Sequence, residues 1–418
     1  MVRGETMNSQ PARFNSPWWR TPVNGLVFLL GKLGAKRLRL DLDSLLSLSR
    51  RATGLSDFGP GDFQTPLLLL LQDFQKHSEA DPLGRALFGR NLRFLLETRL
   101  RATQALKDYP AILQVPVEKP LFILGLPRTG TTFLQGLLSQ VACLRSYINW
   151  QGMSPAPPPS VSSKRNIQSR IAHSRQRNSF IYKLSPGFIT AHELHENEPD
   201  ECNHPMMTAF QSFLFGVYFH SPDYLNYLFQ CDFRDAYYWH KVHLQMLAFG
   251  LENKSWVLKG PAHLGSLTAL LQAYPDARMV FTHRDPADSL PSLASLLRFL
   301  HQVFASPPPA KEAGKFTVEY LEKILAAGQR TRTSAQFPSA QALDLKYHDL
   351  VADPVGTVLK ILGHFKYEED PGLVSRLEAF CQANKQHRKG KHHYSLEEFG
   401  LESGEIRQRF AFEWEQSR

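Results

Sequence analysis

The segment ILGLPRTGTTFLQGLL, residues 123 to 138, constrains the fold more than any other part of the chain. An unbroken apolar run ends at Gly125, a loop carrying Arg128 closes at Gly130, and apolar residues then recur at helical spacing. A strand covered on both faces reads as such a run, so the segment predicts strand 121–125, a loop and helix 130–139 in a parallel α/β sheet. The same layout aims backbone N–H groups and the positive end of a helix at an anion. Gly125 and Gly130 keep the spacing of the triphosphate loop G-x-x-x-x-G-K-[ST], yet Thr131 stands where that loop has its lysine. That lysine reaches the β- and γ-phosphates and the next hydroxyl holds Mg²⁺, so the replacement argues against a metal-bound triphosphate.

Further α/β units follow in order. SWVLK reads as a strand, HLGSLTALLQAY as a helix, ARMVFTHR as a strand, DPADSLPSLASLLRFL as a helix, and ALDLKYHDLVADP as a short strand and turn. Strands alternating with helices predict parallel crossovers, with ligands at the carboxyl ends of the strands. Residues 1–115 carry apolar residues at three- and four-residue spacing and predict a helical extension packed on the core. Residues 116–418 then form the α/β domain, with a helical insertion at about 150–252 that opens on the proline-rich SPAPPPS and a basic stretch from Lys164 to Arg177.

The longest apolar runs, GLVFLL and PLLLLL, fall far short of the roughly 18 residues that cross a bilayer. The N-terminus lacks the pattern of a secretory leader, and Cys143, Cys202, Cys231 and Cys381 lack pairing or metal-ligand spacing, which together point to the cytoplasm. Forty-eight Lys and Arg against 39 Asp and Glu give a net charge of +9, suited to a polyanionic ligand or an acidic surface. No basic helix with interleaved aromatics and no zinc-finger spacing is present, so nucleic acid is not the expected partner.

A second constellation, FTHRDPADSLPSL, ends a strand on Arg284 and places Ser292 eight residues on, in the following helix. A strand-end arginine and a helical hydroxyl suit one anion at the sheet's edge, although Asp285 and Asp288 offer Arg284 an ordinary ion pair.

With these two segments in place the chain resembles the sulfotransferases that use 3′-phosphoadenylyl sulfate (PAPS), best their bacterial-type branch, over about residues 50 to 410. FILGLPRTGTTFL is similar to the family's 5′-phosphosulfate loop, FTHRDPADSLPSL to its 3′-phosphate motif, and LKYHDLVADP to its tyrosine segment near the adenine. WVLKGPAHLGSL and ATGLSDFG match the bacterial-type branch. The resemblance implies a P-loop-like fold, PAPS as co-substrate, 3′-phosphoadenosine 5′-phosphate (PAP) as product, and no required metal. It also implies that Arg128, Thr129, Gly130, Thr131 and Thr132 hold the 5′-phosphosulfate, Arg284 and Ser292 the 3′-phosphate, and Tyr347 the adenine. Arg388, Lys389 and Gly390 are similar to a late basic loop that closes over the 3′-phosphate, or form a solvated charge run.

Sulfuryl transfer needs in-line geometry, charge stabilisation on the leaving oxygen and removal of the acceptor's proton. Lys259, ending SWVLK, resembles the lysine that stabilises the bridging oxygen. His263 is the first candidate for general base, because an imidazole titrates near working pH. Glu201 and Glu198 of HELHENEPDEC stand close behind, since some branches use a glutamate; the same carboxylates could be helix-cap partners. His192 and His195 do not have the H-E-x-x-H spacing of a zinc site.

Residues 154–160 and FQSFLFGVYF, residues 210–219, are candidates for lining a pocket for a small or lipid-like hydroxyl acceptor, although an aromatic stripe reads more simply as core. Peripheral membrane contact through the apolar and basic N-terminal helices is compatible with the composition. Two other readings use the same sheet logic: a nucleotide kinase or NTPase with a degenerate loop, and a catalytically silent nucleotide-binding protein.

Overall fold

The computed structural model describes residues 14, 16–35, 38–368, 370–384 and 395–418. Five strands, β1 (Leu121–Gly125), β2 (Leu144–Ser146), β3 (Ser255–Lys259), β4 (Arg278–His283) and β5 (Ala342–Lys346), form one sheet in the order β2-β3-β1-β4-β5. Every pairing is parallel; Leu121 lies beside Val257 on one side and Arg278 on the other. Central β1 is buried along its whole length, which is why its sequence is apolar without alternation. The pleat still sorts its side chains. Leu121 and Ile123 join a core with Val257, Val280 and Leu345, whereas Phe122 and Leu124 face the larger core on the opposite side.

Among the described residues the first α-helices along the chain are α1 (Arg20–Lys32), α2 (Leu42–Thr53), α3 (Gln64–His77), α4 (Pro82–Asp108), α5 (Thr131–Leu138), α6 (Asn149–Met153) and, within the insertion, α7 (Lys164–Leu184). Asp41 and Asp81 start α2 and α4 by accepting the Ser44 and Gly84 N–H groups, each supplying an acceptor to an otherwise unpaired donor. Leucines and phenylalanines of α2, α3 and α4 share the larger core with Phe122 and Phe281 of the sheet. Arg99 of α4 is wholly buried and donates to the carbonyls of Phe58, Pro60 and Thr208, with its guanidinium 4.5 Å from the Trp239 ring centre. That network ties the ATGLSDFG segment to the α/β body. Gly84 allows α4 to lie against the Phe304 carbonyl, since a Cβ there would sit 1.6 Å from that oxygen.

Four of the five strands coincide with sequence expectation. Residues Leu144–Ser146 do not: a three-residue strand containing Arg and Ser has neither an apolar run nor an alternation long enough to read. HLGSLTALLQAY divides into a 3₁₀ turn, Pro261–Ser266, and a helix, Leu267–Ala273, and the turn expected after β5 is a short helix, Tyr347–Ala352. Among the described residues no helix is long and apolar enough to cross a membrane.

Candidate active site

From β1 the chain turns toward β2 and β3, and from β4 toward β5, so the carboxyl ends of β1 and β4 flank the crevice where doubly wound sheets bind ligands. Residues 126–130 leave β1 there. Gly130 has φ +85°, and a Cβ on it would press within 2.9 Å of Leu350 and 3.1 Å of the Tyr347 ring, so this turn takes glycine for conformation and for space. Gly130 is also the N-cap of α5 and makes no side-chain cap, which leaves the first N–H groups of the helix directed at the crevice. Arg128 is exposed, with φ 74°. Arg284, one residue past β4, donates to the Arg128 carbonyl at 2.9 Å and lays its guanidinium 4.4 Å from the Tyr347 ring centre. Loop, arginine and tyrosine, drawn from a span of more than 200 residues, thus form one cluster.

The two threonines after Arg128 behave differently from one another. Thr129 is buried, and its hydroxyl donates to the Leu126 carbonyl at 2.7 Å and lies 2.6 Å from the Thr282 hydroxyl. Its side chain therefore locks the loop onto β4, and only its backbone N–H is left for an anion. Thr131 is nearly buried at the first turn of α5, and Thr132 is exposed beside it. Ser292 lies two turns into the helix Pro286–Phe304, 8% exposed. Arg388, Lys389 and Gly390 lie outside the described residues.

Behind this crevice, Lys259 ends β3 with 1% of its surface exposed. Its ammonium donates to Glu201 Oε1 at 3.0 Å, and Asn203 Nδ2 donates to Glu201 Oε2 at 3.2 Å. The segment carrying Glu201 is held from three sides. The Cys202 N–H donates to the Lys259 carbonyl, Gln135 of α5 donates to the Asp200 carbonyl, and Asn149 of α6 donates to the Asp200 carboxylate at 2.6 Å. A buried ion pair with this many hydrogen bonds fixes geometry more than it stabilises the fold.

His263 is built differently. It is fully buried in the 3₁₀ turn after β3, with Nδ1 2.8 Å from the Tyr237 hydroxyl and Nε2 3.1 Å from Cys202 Sγ. Burial pushes its pKa down to about 3, so the ring is neutral and both nitrogens are engaged inside the protein. Burial likewise pushes the Cys202 thiol up. Glu198 is exposed, and its backbone carbonyl accepts from the Asn149 N–H at 3.1 Å. Glu196 pairs with Arg175 at 2.6 Å, and His195 faces Glu193 at 3.5 Å. The acidic turn thus separates into an outer group and an inner one, with Glu201 inside.

Glu201 opens onto a cavity of about 720 Å³ that also touches Leu126 and Pro127 at the start of the anion loop. Asp200, Asn203, His192 and His204 line it near Glu201; Leu293, Leu297, Leu300 and Phe304 of one helix and Phe180 and Leu184 of α7 line the rest. Burial, followed by the charge of Lys259, lowers the pKa of His192, and burial lowers that of His204. Of the aromatic run 210–219, Leu214, Val217 and Tyr218 reach the cavity whereas Phe210, Phe213, Phe215 and Phe219 fill the core. Residues 154–160 are not part of the lining. The sequence reading had no signal for Asn203, His204 or the α4 wall (Leu87, Arg90, Phe94), because nothing local to them marks a pocket.

The model of the family described as the sulfotransferase family matches residues 120–371. The sulfotransferase STF1 of Mycobacterium tuberculosis superposes with a TM-score of 0.77 at 29% identity, covering 89% of this chain and 98% of that one. STF9 of Mycobacterium avium gives 0.78 at 25%, covering 90% and 96%. An omega-hydroxy-beta-dihydromenaquinone-9 sulfotransferase of Mycobacterium bovis is 21% identical over 323 residues, 72% of this chain and 76% of its own length.

Proposed function

The chain belongs to the sulfotransferase family, and we propose that it transfers the sulfuryl group of PAPS to the hydroxyl of a lipid-like alcohol, with Glu201 as general base. The observation that carries this reading is the position of Glu201. Its carboxylate is held by Lys259 at one end of a largely apolar cavity, and that same cavity meets the anion loop at Leu126 and Pro127.

The residues present fit the donor. Gly130 clears the space a Cβ would fill, uncapped N–H groups of α5 face the crevice, and Arg128 and Arg284 bring two positive charges to it. PAPS supplies the activated sulfuryl group. Arg128, Gly130, Thr131, Thr132 and the Thr129 backbone would hold its 5′ side, and Arg284, Ser292 and Tyr347 its nucleoside and 3′-phosphate. Thr129 holds the loop in shape from beneath. Lys259 places a full positive charge where negative charge develops on the leaving oxygen, and Glu201 keeps that buried ammonium compensated beforehand. Glu201 then takes the acceptor's proton, while Asn203 orients its second oxygen.

His263 supports this arrangement from behind. With both nitrogens engaged and its ring neutral, it braces Cys202 and therefore the backbone beside Glu201. Glu198 lies on the outer side of the turn and has no part in the proposed transfer. The volume and apolar lining of the cavity favour a chain-bearing alcohol, in keeping with the menaquinone-derived acceptor in the name of one relative.

Two measurements test the reading. PAP without Mg²⁺ should raise the melting temperature, and ³⁵S-labelled PAPS should label long-chain alcohols in preference to phenols and sugars. Stabilisation by ATP–Mg²⁺ but not by PAP would remove the donor assignment. Transfer restricted to small polar acceptors would remove the lipid one.

A further inference from the structure

Helix α1 is amphipathic the wrong way round for a helix at home in water. Its inward positions include Arg20 and Asn24, which both bind the Asp81 carboxylate, at 2.7 Å each. Arg20 also donates to the Gln302 carbonyl at 2.7 Å, and Asn24 accepts the Leu83 N–H at 2.8 Å. Val23 and Val27 complete the inner face against the core. The outward positions are Leu26, Leu29, Leu30 and Leu33, spaced three and four apart, with Phe28 beside them. Leu33 is 83% exposed, and Trp18, just before the helix, is 86% exposed.

A helix pinned by four specific hydrogen bonds is not merely loosely docked, so its apolar outer row needs a partner. We propose that α1 is a membrane-attachment helix that seats this protein on an anionic lipid bilayer. The charge pattern selects that occupant. Between residues 6 and 40 the sequence has no Asp or Glu, whereas, besides the inward Arg20 that Asp81 neutralises, it has Arg13, Lys32, Lys36, Arg37 and Arg39. A segment this basic and free of carboxylates, carrying an exposed apolar helix face, suits the surface of an anionic membrane. In a symmetric pairing of two copies the same residues would meet like charges. Thirteen residues are too few to cross a bilayer, and the exposed Trp18 at the helix start suits the headgroup level, so α1 lies in the interface plane.

The position of α1 gives the attachment a use. It is fixed to the start of α4 and the end of helix Pro286–Phe304, and those two elements supply Leu87, Arg90, Val303 and Phe304 to the cavity wall. The bilayer would then lie beside the cavity that admits a membrane-borne alcohol. That consequence rests on the lipid-acceptor reading; the attachment itself does not.

The test is flotation of the full chain with vesicles of phosphatidylcholine containing phosphatidylglycerol, against phosphatidylcholine alone. The native chain is expected to float with the anionic vesicles and to be released by high salt. Leu29→Glu/Leu33→Glu should lower the bound fraction by about tenfold or more, and Leu29→Ala/Leu33→Ala by less, with melting temperature and PAP binding unchanged. Failure of the native chain to float, or equal flotation of the Glu variant, overturns the proposal. So does a native dimer that the Glu variant converts to monomer, which would make a second copy the occupant. Because flotation needs no turnover, it can succeed where labelled transfer to lipid alcohols fails, and the reverse, so the two readings fall separately.

Discussion

The crevice proposed for the donor and the cavity proposed for the acceptor meet at Leu126 and Pro127 but are made in opposite ways. The crevice is built from short contiguous segments at the ends of β1 and β4, and much of its chemistry is backbone: a glycine turn and an uncapped helix start. The cavity is built from side chains of helices far apart in the chain, from Leu87 of α4 to Ile324. A site for an invariant nucleotide can be local and rigid, whereas one for a variable alcohol is shaped by whichever helices border it. Substitutions in the crevice are therefore expected to strike every substrate alike, and substitutions in the cavity to sort substrates by length.

The largest expected effect lies where the two regions join. Glu201→Gln should lower kcat by about 10²- to 10⁴-fold with PAP binding intact, and His192→Asn, His204→Asn and His263→Gln by much less. Turnover that survives in Glu201→Gln but collapses in one of the histidine variants would move the base to that ring. Next, Arg128→Ala and Arg284→Ala should each weaken PAP binding by roughly 10- to 100-fold, read by calorimetry, with all acceptors affected equally. An acceptor-dependent loss would break the separation of the two regions.

On the cavity side, Leu300→Trp should lower kcat/KM for a long-chain alcohol about tenfold relative to a short one, leaving PAP affinity unchanged. Equal losses for both chain lengths would place the acceptor elsewhere. The last effect is on stability rather than turnover and concerns His283, which ends β4 just before Arg284 and contacts Asp344 at 2.6 Å and Glu413 at 2.9 Å. Burial opposes its charging, but the hydrogen bonds to those two carboxylates outweigh burial and raise its pKa to about 9. A raised histidine pKa contributes stability that is full below the unfolded value near 6.5. It is lost as pH rises through about 9, amounting to something on the order of 3 kcal/mol. Melting temperature should therefore fall across that window in the native chain and be flatter in His283→Gln. An unchanged slope in the variant would reassign the dependence.

The legibility of the two regions follows from their construction. The loop, β3 and β4 are readable because glycine spacing and apolar runs are local, and a parallel sheet rewards them with burial on both faces; β5, at the sheet's edge with only Leu345 buried, is readable as a short strand before its turn. Strand β2 was not readable because its three residues carry no pattern. The acidic turn shows the limit most clearly. Glu198 and Glu201 are equivalent in sequence, and only the ties to Lys259, Gln135 and Asn149 turn one into the cavity and leave the other outside.

The parallel sheet, the glycine-bounded loop without its lysine and the family to which the chain belongs are all legible before folding, because each is written in adjacent residues. The tertiary structure alone decided that His263 is locked away between Tyr237 and Cys202, that Thr129 faces inward, and that helices from both halves of the chain enclose one apolar cavity. The physical reason is that burial and partnership are relations between residues distant in the chain. A histidine or threonine has the same chemistry in any sequence, and what surrounds it in the fold sets whether that chemistry is free to act.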